Sequence, residues 1–136
     1  MPKWSVLFVL VGCQSVGAAP PDGKHFSLVV EAPQVSEVGK VAKAHVKLEP
    51  GPGYKINKDY PIRLEITPPG GVEVERTTQR SPDAVRLDPH GALFDVAFTP
   101  KEAGHKEVRA VFGFSVCTPK ACEVKKESFA FSTDVR

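Results

Sequence analysis

The sequence predicts an all-β fold, an antiparallel sandwich of about seven short strands. Three observations predict it. Apolar and polar residues alternate with period two in run after run, as half-buried strands require. The runs are rich in Val, Ile and Phe, which suit a pleated surface. Turn chemistry separates them, with thirteen prolines and eleven glycines spread through 136 residues. No window carries a helical stripe. Strands at this spacing read as a sandwich of immunoglobulin type, with a small barrel as the alternative closure.

The chain opens on an export signal. Met1-Pro2-Lys3 is a short basic head, and Trp4 to Val11 is apolar apart from Ser5. That run is too short to span a bilayer, which takes ~20 apolar residues, and fits the core of a secretory signal over residues 1–12. Leu10-Val11-Gly12-Cys13 resembles the lipobox of bacterial lipoproteins and makes Cys13 the lipidation site. A competing cleavage site after Ala18, with Val16 and Ala18 as its small residues, gives a soluble secreted form instead. Residues 13–24 read as a lipidated or flexible tether. Several acyl chains on Cys13 would hold the protein to a membrane, since each buried methylene adds ~0.8 kcal/mol. The expected location is the bacterial envelope, facing the periplasm.

Residues 25–136 form the expected domain. Phe26, Leu28 and Val30 alternate with Ser27, Val29 and Glu31. Ala42, Ala44, Val46 and Leu48 alternate with Lys43, His45, Lys47 and Glu49. Ile62, Leu64 and Ile66 follow, then Val72 and Val74, then Phe94, Val96 and Phe98. Val108, Ala110, Phe112 and Phe114 make the next strand, and Phe129 and Phe131 belong to the last. Pro50-Gly51-Pro52-Gly53, Pro68-Pro69-Gly70-Gly71, Asp88-Pro89-His90-Gly91 and Glu102-Ala103-Gly104 are the turns. The last two strands, about 106–116 and 123–131, are joined by the loop from Cys117 to Cys122.

A domain of this length builds a sizeable core without disulfides. Charge is nearly balanced, 18 basic residues against 16 acidic. That gives no support for a nucleic-acid partner, which selects a basic face. No phosphate loop, dinucleotide fingerprint or Gly-x-Ser-x-Gly occurs, and no cofactor is expected. The four histidines show no metal-ligand spacing, and the only Met is the initiator, so no metal site is expected. Asp83 and Asp88 read as solvated charge.

The cysteines carry the chemistry. With Cys13 assigned to lipid, Cys117 and Cys122 make a pair at a hairpin tip. Opposed residues of an antiparallel pair meet the geometry a disulfide needs, and an exported protein oxidises such a pair. One reading is a staple, although closing so small a loop removes little entropy from the unfolded chain. The other is thiol–disulfide exchange, in which nearby cations stabilise a thiolate. Lys120, Lys125 and Lys126 supply charge of the right sign, and Glu123 opposes them.

Gly51-Pro52-Gly53-Tyr54-Lys55-Ile56-Asn57, followed by Tyr60-Pro61, resembles the "P-G-aromatic-x-I" stretch of the amino-terminal periplasmic domain of the thiol:disulfide interchange protein DsbD. Phe114-Ser115-Val116-Cys117 through Cys122 takes the matching place in strand order. The resemblance implies an immunoglobulin-like sandwich with two reactive cysteines on a late hairpin. It also implies an electron relay, with thioredoxin-like or other redox proteins of the envelope as partners. In that family an aromatic loop can shield the cysteine pair, a role open to Tyr54 or Tyr60. The cysteine loop here is shorter than is usual in the family, and Glu123-Val124-Lys125 stands where an aromatic and prolines are common. The leading expectation is thus exchange through Cys117 and Cys122. The alternative is a non-catalytic binding or structural module with a passive disulfide.

Overall fold

The computed structural model describes residues 25–136. The leader, Cys13 and the tether lie outside the described residues. The elements are β1 (Phe26–Glu31), β2 (Val35–Ser36), β3 (Ala42–Pro50), β4 (Lys55–Ile56), β5 (Arg63–Thr67) and β6 (Val72–Val74). They continue with β7 (Thr78–Arg80), a 3₁₀ turn (Ser81–Asp83), β8 (Arg86–Asp88), β9 (Gly91–Pro100), β10 (Gly104–Cys117) and β11 (Cys122–Val135).

The strands form two sheets. One runs β1-β3-β9-β6, with β8 also on the outer edge of β9. The other runs β2-β11-β10-β5-β7, with β4 also on β10. This is the immunoglobulin arrangement: first, second and fifth principal strands in one layer, third, sixth and seventh in the other. The first strand divides in the manner of that fold. β1 pairs antiparallel with β3, and β2 crosses over to pair parallel with β11. Every other pairing is antiparallel.

The alternating residues point inward as their pattern requires. Ala44, Val46, Leu48, Phe94, Val96 and Phe98 of one sheet face Leu64, Ile66, Val108, Ala110, Phe112 and Phe114 of the other, all buried. Three aromatic contacts bridge the layers: Phe26–Phe114 at 5.0 Å, Phe94–Phe112 at 5.5 Å and Phe98–Phe131 at 5.7 Å between ring centroids. Such pairs add ~0.5–1.5 kcal/mol each beyond their area. This stack ties the two sheets together along the middle of β10, from the rung of Val108 to Phe114.

The strands number eleven among the described residues, against the expected seven or so. The surplus lies in edge segments of two or three residues, β2, β4, β7 and β8, too short to show an alternation. The last two strands are also longer than their apolar runs, fourteen residues each.

Candidate functional site at the hairpin tip

β10 and β11 pair without a break from Gly104↔Val135 to Cys117↔Cys122. Beyond the last rung, the Thr118 N–H donates to the Ala121 carbonyl at 2.8 Å. Hydrogen-bonded and non-hydrogen-bonded rungs alternate in an antiparallel ladder. Cys117↔Cys122 is therefore a non-hydrogen-bonded rung, the kind that brings side chains closest. Their α-carbons are 3.9 Å apart and the sulfurs are bonded.

The turn itself is poorly matched to the strands. Two-residue hairpin turns favour types I′ and II′, which need positive φ at the first central position. Pro119 holds φ near −65° and excludes both. The Thr118 hydroxyl oxygen compensates by accepting from the N–H groups of Lys120 at 3.3 Å and Ala121 at 3.2 Å. Cys117 is half-buried and Cys122 exposed.

The segment around Tyr54 lies directly against the disulfide. The Tyr54 N–H donates to the Gly51 carbonyl at 3.0 Å, closing a turn with Pro52 and Gly53 at its centre. Gly53 has φ 79°, the left-handed value a type II turn demands there. That turn delivers β4 onto β10, with Lys55 opposite Cys117 and Ile56 opposite Val116. The Ile56 N–H donates to the Pro89 carbonyl and the Asn57 N–H to that of Ser115, both at 2.9 Å. The Tyr54 ring stacks on His25, 4.7 Å between centroids. His25 Nδ1 sits 2.7 Å from Glu123 Oε2, and Lys125 Nζ is 3.4 Å from the same oxygen. Between these parts lies a cleft of about 510 Å³, lined by Gly53, Tyr54, Lys55, His90, Cys117, Thr118 and Pro119.

The structure thus brings Cys117, Cys122 and Tyr54 together and leaves Tyr60 elsewhere. Tyr60 borders a separate hollow on the outer face of the β10–β11 sheet, beside Gly113 and Val124. The cations divide as well. Lys120 is exposed at the tip, Lys125 is held by Glu123, and Lys126 lies on the outward face four rungs below Cys122. Lys55 is the cation in register with Cys117. Nothing local in the chain announces that pairing, because the two residues lie far apart in sequence. The histidines are more engaged than surface imidazoles. His45 meets Asp95 at 2.6 Å and His105 meets Asp134 at 2.8 Å, each across a rung.

Chemically, Cys122 is the more exposed half of the disulfide and the one an incoming thiolate would meet first. Attack there would form a mixed disulfide and release Cys117 as the leaving thiolate. Equally, an unattacked bond fixes the tip in one geometry.

No protein-family model matches the chain, and no curated protein matches it. Among solved structures, the major subunit AggA of Escherichia coli aggregative adherence fimbriae type I is similar at 9% identity. It aligns over 89% of this chain and 100% of its own, with a TM-score of 0.42. Murine CRIg is also similar, at 9% identity over 82% and 98% of the two chains and a TM-score of 0.42. The cohesin module of a Clostridium perfringens family 33 glycoside hydrolase reaches 12% identity, 83% and 99% coverage, and a TM-score of 0.38. Likenesses at this level say nothing of function.

Proposed function

We propose that this domain is an exported, lipid-anchored binding module of the bacterial envelope whose hairpin tip is the contact element, with Cys117–Cys122 as its staple. One observation carries the reading. The bond closes the last rung of an unbroken ladder, at a turn whose proline opposes the twist of its strands. Fixing that tip preorganises the adjoining cleft and lowers the ordering cost of binding.

The test is the reduction potential of the pair in the full chain. A staple has a potential below about −300 mV. Reduction should then speed amide exchange from Thr118 to Glu123 and leave the core amides protected. A potential within reach of thioredoxin-like partners would overturn the staple.

Exchange is the second reading, favoured by the exposure of Cys122 and by the placement of Tyr54 beside Cys117. It is the role that the resemblance to the DsbD domain implies, with thioredoxin-like envelope proteins as partners. In that case Cys117→Ser or Cys122→Ser should trap a mixed disulfide, because the resolving thiol is gone. Capture by neither variant removes this reading. The anchor has its own test. Labelling with a palmitate analogue should mark the wild-type chain and miss Cys13→Ala, and a mature terminus at Ala19 would replace the anchored form by a soluble one.

A further inference from the structure

β11 is an edge strand for most of its length. Among the described residues, β2 is the only strand on its outer side, and it reaches only Asp134 and Val135. The Asp134 N–H donates outward to the Gln34 carbonyl at 2.8 Å, and the Arg136 N–H to that of Ser36 at 2.9 Å. Residues of the same parity therefore turn their backbone groups outward all along the strand. From Cys122 to Ser132 that leaves a row of N–H and C=O groups facing no other strand among the described residues. An edge of this length is a template for another strand.

The side chains beside this edge have an uncommon order. Glu123, Lys125 and Glu127 occupy the inward positions next to the open edge, all half-buried. Glu127 has no ion-pair partner among the described residues. Charges of alternating sign at alternate positions are self-complementary when two such strands run antiparallel. We infer that β11 pairs antiparallel with β11 of a second copy, about a twofold axis at Lys126.

Electrostatics selects that register. With the axis at Lys126, Lys125 stands opposite Glu127 of the second copy, twice by symmetry, and the ladder covers Cys122–Ala130. Moving the axis to Lys125 sets Lys125 on its own copy and Glu123 on Glu127. Moving it to Glu127 sets Glu127 on its own copy. Like charges directly opposed destabilise a pair, and opposite charges stabilise it. An axis at Val124 also matches charges, through Glu123 and Lys125, but shortens the ladder to Cys122–Lys126. The two Lys126 ammonium groups meet at the axis on the exposed face, where salt screens them. β1, the edge of the other sheet, has no such pattern, with Glu31 as its single charge.

The test mixes isotopically light and heavy full chain in detergent, with micelles in excess, and treats it with an amine-reactive crosslinker. Mass spectrometry should find a Lys126–Lys126 crosslink of mixed isotope, which only an intermolecular contact makes. Glu127→Lys alone and Lys125→Glu alone should each lower its yield about tenfold, as lost and reversed pairs on both sides of the axis imply. The double variant should restore it, and thermal melts should show all the variants folded. A monomer with no mixed crosslink overturns the proposal. So do single losses that the double variant leaves unrepaired. Slow amide exchange at Val124, Lys126 and Ser128 in such a monomer would assign the edge to another segment of this chain, and fast exchange would leave it open to solvent.

Discussion

The two halves of the β10–β11 hairpin share one ladder and are held by different means. In the half near Gly104, both strands face the core with apolar side chains. Val108 lies opposite Phe131 and Ala110 opposite Phe129. In the half near the tip, β10 keeps its apolar face through Phe112, Phe114 and Val116, all fully buried. β11 does not. Opposite those residues it places Glu127, Lys125 and Glu123. One strand of the tip half is anchored by the hydrophobic effect, and the other by its ladder bonds, an ion-pair cluster and a disulfide. The contrast teaches why a staple of modest worth stands where it does: core packing no longer holds β11 there.

The largest effect should come from breaking the buried side of that rung. Phe114 touches Phe26 and Phe112. Phe114→Ala should cost about 3–5 kcal/mol, the usual loss for a truncated core aromatic. Across the same rung, Lys125→Ala should cost less, about 1 kcal/mol, because the Glu123 carboxylate it meets is partly exposed to solvent. Urea unfolding of both variants measures the ratio. Near-equal losses would mean that the two strands of the tip are held alike.

Next comes the staple. The loop-entropy model gives about 2 kcal/mol for a ring this small. Replacing both Cys117 and Cys122 by Ser should lower stability by that amount and leave the fold intact. Hydrogen exchange should localise the change to the tip. A loss as large as that of Phe114→Ala would show that the disulfide supports the whole sandwich.

Smaller again is the effect of Tyr54→Ala. The ring lies at the core margin and stacks on His25, so its removal should cost ~1 kcal/mol and free the His25–Glu123 contact. Carbon-bound proton shifts of the His25 ring report the contact directly. Unchanged shifts would detach Tyr54 from the tip.

Legibility in the sequence follows the same division. Strands long enough to alternate, such as Ala42 to Leu48 or Phe94 to Phe98, were readable, and their inward residues are the buried ones. The hairpin and its opposed cysteines were readable too, because the pairing is local. The edge strands were not. Lys55 and Ile56 owe their strand character to a partner about sixty residues away, and two residues carry no period. For that reason the sequence alone does not separate Tyr54 from Tyr60. Both follow turn-forming residues, and only the docking of β4 on β10 separates them. The charged inward column of β11 hides from pattern reading for a different reason. Glu123, Lys125 and Glu127 alternate with Val124, Lys126 and Ser128, so no apolar face marks which side points in.

The smallest predicted effect lies at the far wall of the cleft. His90 sits in the turn from β8 to β9, and Asp88 organises that turn. Its carboxylate accepts from Arg86 Nε at 2.6 Å and from the His90 backbone N–H at 2.7 Å. The Arg86 hydrogen bond foremost, and then the His90 N–H, hold the Asp88 carboxyl below the ordinary carboxylate value. A carboxyl depressed in the folded state contributes stability above its unfolded value of ~3.9 and loses it as pH falls through the folded value. Asp88 is partly exposed and solvent screens its pair with Arg86, so the contribution is small. Asp88→Asn should lower the melting temperature slightly at neutral pH, and the gap to wild type should close as pH drops below ~4. A gap that persists unchanged into acid would mean that Asp88 acts through turn geometry rather than charge.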